Sequence, residues 1–172
     1  MTVRKTLDHF YDGLMALAAL SMVSAFVVVI LGIADRQFAF GLRGLDSYAG
    51  YAIAATLFLA LPGTLKRGEH IRVTLLLQRA PKRLQGVLEA WCLLAGVALT
   101  SALAWYACRL VWLSHTTNDI SQGSDASPLW VPQLAMALGC VGLAVAFIDA
   151  AVSRIVDKTF YDDAGPEAAH IE

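Results

Sequence analysis

Charge is missing from four long stretches of this chain. Gly13 to Ala34, Ser47 to Leu65, Ala90 to Cys108 and Ala126 to Ile148 contain no Asp, Glu, Lys, Arg or His, and run to 22, 19, 19 and 23 residues. A bilayer hydrocarbon core about 30 Å thick is crossed by about 20 residues of helix at about 1.5 Å each. Each run therefore predicts one membrane span, at about 13–34, 47–65, 88–110 and 128–150. The first run is too long for the apolar core of a cleaved signal, about 7–15 residues, and reads as a retained span. The pattern predicts an all-α protein: an integral membrane four-helix bundle.

Between the second and third spans the pattern changes. Val73, Leu76, Leu77 and Ala80 follow i, i+3, i+4, i+7 spacing, while Arg72 and Arg79 fall on another face. That predicts a short amphipathic helix in the headgroup plane. Pro81 ends it, so the third helix is expected to begin near Lys82. Gly41 and Gly44 read as turn residues of the first outer loop, and Pro62-Gly63 as a point where the second helix kinks or loosens. Ser127 is expected to cap the fourth helix, with Pro128 in its first turn. Residues 1–158 then form the membrane domain. Residues 159–172, with Asp162, Asp163, Gly165, Pro166 and Glu167, are expected to be a disordered acidic tail.

Composition sharpens this in two ways. At 58% hydrophobic and 16% charged, the chain departs from the roughly 45–50% and about 25% of soluble domains, and its net charge of −1 offers no basic face for nucleic acid. The placement of the basic residues also gives an orientation. Arg4, Lys5, Lys66, Arg67, Arg72, Arg79, Lys82, Arg83, Arg154 and Lys158 share one side, against Arg36, Arg43 and Arg109 on the other. The positive-inside rule then puts both termini in the cytoplasm. Trp91, Trp112, Trp130, Tyr11 and Tyr48 flank the spans as headgroup-level rings do. Trp105 lies deeper and is expected to pack against a neighbouring helix.

Candidate chemistry is sparse. Intramembrane ionisable groups mark ion pathways, and the four runs have none. Axial haem ligands would have to lie inside the bundle, whereas His9, His70, His115 and His170 lie outside the spans. Cys92, Cys108 and Cys140 all fall in apolar runs with no close pair, which points to small hydrophobes rather than a metal site or a disulfide. No catalysis, cofactor or metal is expected. Small residues do line the helices: Ala135, Gly139, Gly142 and Ala146 in the fourth span, Gly96, Thr100 and Ala104 in the third. Such stripes let backbones approach closely, either within the chain or against a partner.

One segment carries a resemblance. Gly68-Glu69-His70-Ile71-Arg72-Val73 resembles the Gly-x-His-Ile-x-Val segment of the small permease subunit of tripartite ATP-independent periplasmic (TRAP) transporters, the DctQ family. Pro81 fits that family's proline before the third helix, and Pro128, Trp130, Pro132 and Gly139 look like the start of its fourth span. The family commonly has a Trp and an acidic pair entering the second span; here Leu45-Asp46-Ser47 stands there, with Asp46 alone for the pair.

The resemblance implies a non-catalytic subunit of the bacterial inner membrane. It would brace a large multi-span permease subunit during sodium-coupled uptake of an organic acid delivered by a periplasmic binding protein. The alternative is a four-span anchoring or assembly subunit of another membrane complex. Candidate contacts with a partner or with membrane lipids are Asp46, Arg67, Gly68, His70, Val73, Leu76, Leu77, Gly139 and Gly142. His70 reads either as a partner contact or helix cap, or as an interfacial histidine in a polar turn. The basic cluster around it reads either as topology and lipid contact or as a partner surface.

Overall fold

The structure, a computed structural model, describes residues 2–67, 82–123 and 126–155. They form four helices: α1 (Thr2–Phe38), α2 (Leu45–Lys66), α3 (Lys82–Thr116) and α4 (Trp130–Ile155). All four are long and apolar enough to cross a membrane. The chain is thus an all-α four-helix membrane bundle, as the uncharged runs predicted. The proposed interfacial helix (Val73, Leu76, Leu77), Gly68 and His70, and the acidic tail lie outside the described residues.

The helices outrun the spans. α1 has 37 residues and α3 has 35, about 50–55 Å of helix, so both tilt or project beyond a hydrocarbon core of about 30 Å. The described part of α3 begins at Lys82, and Pro81 lies outside the described residues. Gly41 and Gly44 adopt φ of +78° and +82°, the left-handed turn geometry that glycine takes without strain, and Gly44 leads directly into α2. The start of α4 differs from expectation. Ser127 and Pro128 are drawn into a small antiparallel bridge with Ile120 and Ser121, and the helix begins at Trp130, so Pro128 lies before its first turn rather than in it.

The helices form an open row rather than a closed square. In space the order is α1, α2, α4, α3: α2 packs on α1 and on α4, and α3 packs only on α4 among the described residues. α1 reaches α4 near the end that carries the chain termini, at Tyr11 and Leu14. The core follows this order. Tyr11, Leu65, Leu143, Ala146 and Ala150 cluster at the termini end, with Leu14, Ala18 and Leu59 beside them. Ala107, Ala137 and Cys140 join α3 to α4.

Pro62 shows why α2 and α4 fit. The helix runs on through the proline to Lys66, but proline has no N–H, so the Phe58 carbonyl loses its helical donor. Gly139 of α4 lies against that same carbonyl, and one turn on Gly142 meets the Pro62 ring and Leu14. Gly96 of α3 accepts the Phe147 ring in the same way. Thr100 is buried and returns its hydroxyl to the Gly96 carbonyl at 2.7 Å. The small-residue stripes of α3 and α4 are therefore occupied by contacts within the chain.

Four side chains sit otherwise than the pattern suggested. Tyr11, read as a ring flanking the first span, is 2% exposed and is the largest fully buried side chain among the described residues. Trp105 is 71% exposed and packs on no helix among the described residues, because it faces away from α4, the sole neighbour of α3 there. Cys92 and Cys108 lie on the outer surface of α3, and only Cys140 is in the core.

Candidate functional site

At the termini end, three helices contribute polar groups to one cluster. Asp8 and Tyr11 lie one turn apart on α1, Lys66 ends α2, and Asp149 lies near the end of α4. The Tyr11 hydroxyl donates to Asp149 Oδ2 at 3.4 Å. Lys66 Nζ pairs with Asp8 Oδ1 at 3.0 Å and lies 5.9 Å from the centre of the Tyr11 ring. That is within range of a cation–π contact. The Lys66 side chain is only 13% exposed, so this pair is less screened than a surface pair. Beneath it lies the apolar cluster of Leu65, Leu143, Ala146 and Ala150. Chemically the arrangement is a clamp: each charged or hydroxyl group has a partner on another helix.

Sequence reasoning missed this cluster. Asp149 is the residue immediately after the uncharged run that ends at Ile148, inside the fourth span expected at about 128–150. The signal was present in its position, since Ala150, Ala151 and Val152 continue the apolar pattern beyond it. A carboxylate inside such a stretch needs a partner.

The opposite end is held differently. Asp46, in the first turn of α2, receives both of its contacts from Arg36 Nη2 at 3.2 Å. The two side chains are 73% and 87% exposed. The second loop is tied down by Tyr51, whose hydroxyl donates to Ser121 Oγ at 2.9 Å, and that oxygen also accepts the Gly123 N–H. His115 meets Trp130 edge to face, with centroids 5.4 Å apart, joining the end of α3 to the start of α4. Between α1, α2 and α4 an apolar cleft of about 470 Å³ opens at this end, lined by Ser24, Val28, Tyr48, Tyr51, Val131 and Pro132 among others. Two of its hydroxyls are engaged: Ser24 donates to the Ser21 carbonyl and Tyr51 to Ser121.

The sequence-predicted residues that are described are therefore not gathered into one site. Asp46 is at the loop end. Arg67 is exposed just past α2, its N–H returned to the Gly63 carbonyl at 3.1 Å. Gly139 and Gly142 face inward. Among the described residues, no group of three or more His, Cys, Asp or Glu side chains is placed to hold a metal ion.

Residues 25–157 match the family described as tripartite ATP-independent periplasmic transporters, DctQ component. No curated protein and no solved structure matches the chain significantly. The matched segment takes in the C-terminal part of α1 and all of α2, α3 and α4, so this multi-pass inner-membrane chain belongs to the DctQ family, the small components of TRAP transporters.

Proposed function

We propose that the chain is a brace rather than a carrier. It holds the large permease subunit in the bilayer during sodium-coupled uptake of an organic acid, which a periplasmic binding protein delivers, and both of its termini face the cytoplasm. The supporting observation is the chemistry of the helix contacts. Where α1, α2, α3 and α4 meet, the side chains are Leu14, Ala18, Leu59, Ala107, Ala137 and Cys140, with glycines between them. A carrier needs polar ligands near the midplane. Here the packed charges sit at one end and satisfy each other.

The test is uptake into proteoliposomes with purified components. Large subunit plus binding protein should take up an organic acid, driven by an inward sodium gradient, only when this chain is present. The chain alone should take up nothing. Full uptake in its absence would overturn the brace, and uptake without a sodium gradient would overturn the coupling.

A further inference from the structure

The two flanks of the open row are unlike each other. The outer surface of α1 exposes Leu20, Met22, Val23, Phe26 and Ile33, side chains with no hydrogen-bonding atom, which is what acyl chains tolerate. On α3, Thr100, Ala107 and Ser114 are buried on the side that meets α4. The far side carries Trp91, Trp105 and Trp112, which are 66%, 71% and 72% exposed. They are spaced by multiples of seven, which brings each to nearly the same side of a 3.6-residue helix. Ser101 and Arg109 are also exposed there, one turn before and after Trp105.

Depth separates these groups. Trp91 and Trp112 are 21 residues apart, about 31 Å of helix, so they reach the two headgroup levels. Trp105 then lies about 5 Å from the midplane and Arg109 about 11 Å from it. At that depth acyl chains offer the indole N–H no acceptor. Arg109 has no ion pair among the described residues, and a charge inside the hydrocarbon boundary calls for a counter-charge. A donor and a cation stacked one turn apart, on a helix with a single neighbour among the described residues, match an acceptor and an anion on another helix.

We propose that the α3 face of Trp105, Ser101 and Arg109 is the docking surface for a membrane helix of the large permease subunit. That helix carries a carboxylate level with Arg109 and a hydroxyl, amide or carbonyl acceptor level with Trp105. The α1 flank is left to lipid. This rests on the brace reading above and adds the face and the chemistry of the contact.

The test is co-purification of this chain with an affinity-tagged large subunit from membranes expressing both. Trp105→Leu combined with Arg109→Gln should lower the recovered chain about tenfold. Leu20→Ala combined with Phe26→Ala should leave recovery unchanged. Circular dichroism and size-exclusion elution of the solubilised variants check that they fold. Independently of folding, a benzophenone amino acid at Ala98, on the same face, should crosslink to the large subunit, and one at Val23 should not. Undiminished recovery of the α3 variant, or adducts at Ala98 to phospholipid alone, would overturn the face. Failure of the wild-type chain to co-purify would overturn the brace itself.

Discussion

The Gly139 backbone rests on the carbonyl of Phe58, the acceptor that Pro62 leaves without its helical partner. A Cβ on Gly139 would overlap that carbonyl, so the Cα–H in its place points at the oxygen. Cα–H···O contacts of this kind recur where helices approach closely. Pro62 and Gly139, 77 positions apart in the chain, thus form one joint: the first frees an acceptor and the second lets α4 come near enough to cover it.

Gly139→Ala should therefore destabilise the chain by about 1–3 kcal/mol, the usual cost of forcing a group into a filled contact. The atom it meets is backbone, which cannot rotate aside. Gly50→Ala is the control: nothing lies within 4 Å of the added Cβ, and it should not lower stability. Thermal unfolding of the detergent-solubilised variants, followed by circular dichroism, compares the two. Equal melting temperatures would mean that α2 and α4 can part at no cost.

The clamp at the termini end predicts an asymmetry. Tyr11→Phe removes the donor and leaves the Asp149 carboxylate without its hydroxyl, which should cost about 1–3 kcal/mol. Removing the carboxylate as well, in Tyr11→Phe with Asp149→Leu, should recover much of that loss, because no unpaired polar group remains. Chemical unfolding of the two singles and the double closes the cycle. Additive losses would mean that the 3.4 Å contact couples nothing.

These two cases show what was legible in the sequence. The number of membrane-crossing helices and the Gly41–Gly44 turn were readable because spans are set by length and charge, and turns by φ. The order of the helices in space was not. Gly50 and Ala54 of α2 are small residues one turn apart, as Gly139 and Gly142 are, yet Gly50 and Ala54 are exposed. The difference lies in what faces them, here Pro62 and the Phe58 carbonyl. Tyr11 had the spacing of a headgroup ring, and only the arrival of Asp149 from a helix 138 residues away makes it core. Of the candidate site, Asp46 and Arg67 are exposed as a contact residue must be, but no periodicity marks which side of α3 is bare.

Tyr51 tests the opposite end. Its hydroxyl holds Ser121, which in turn accepts the Gly123 N–H. Tyr51→Phe should loosen residues 117–123 while α2 and α3 keep their protection. Loss of a hydrogen bond worth about 1 kcal/mol corresponds to about fivefold faster local exchange. Hydrogen–deuterium exchange with peptides covering residues 117–123 measures it. Unchanged exchange would show that the bridge between Ile120 and Pro128 holds the loop unaided.

Asp46 separates fold from assembly. Its pair with Arg36 is exposed on both sides, and such pairs contribute about 0–1 kcal/mol. Asp46→Asn should accordingly leave the melting temperature of the isolated chain within error. Its position at the loop end, where Arg36 already offsets its charge, makes it accessible to a partner without being needed for folding. As a proposed partner contact, the same substitution should lower uptake by the assembled transporter. Uptake by reconstituted wild-type and Asp46→Asn complexes at equal subunit content decides between the two roles. Equal uptake confines Asp46 to its contact with Arg36, and a loss with unchanged melting assigns the carboxylate to the partner.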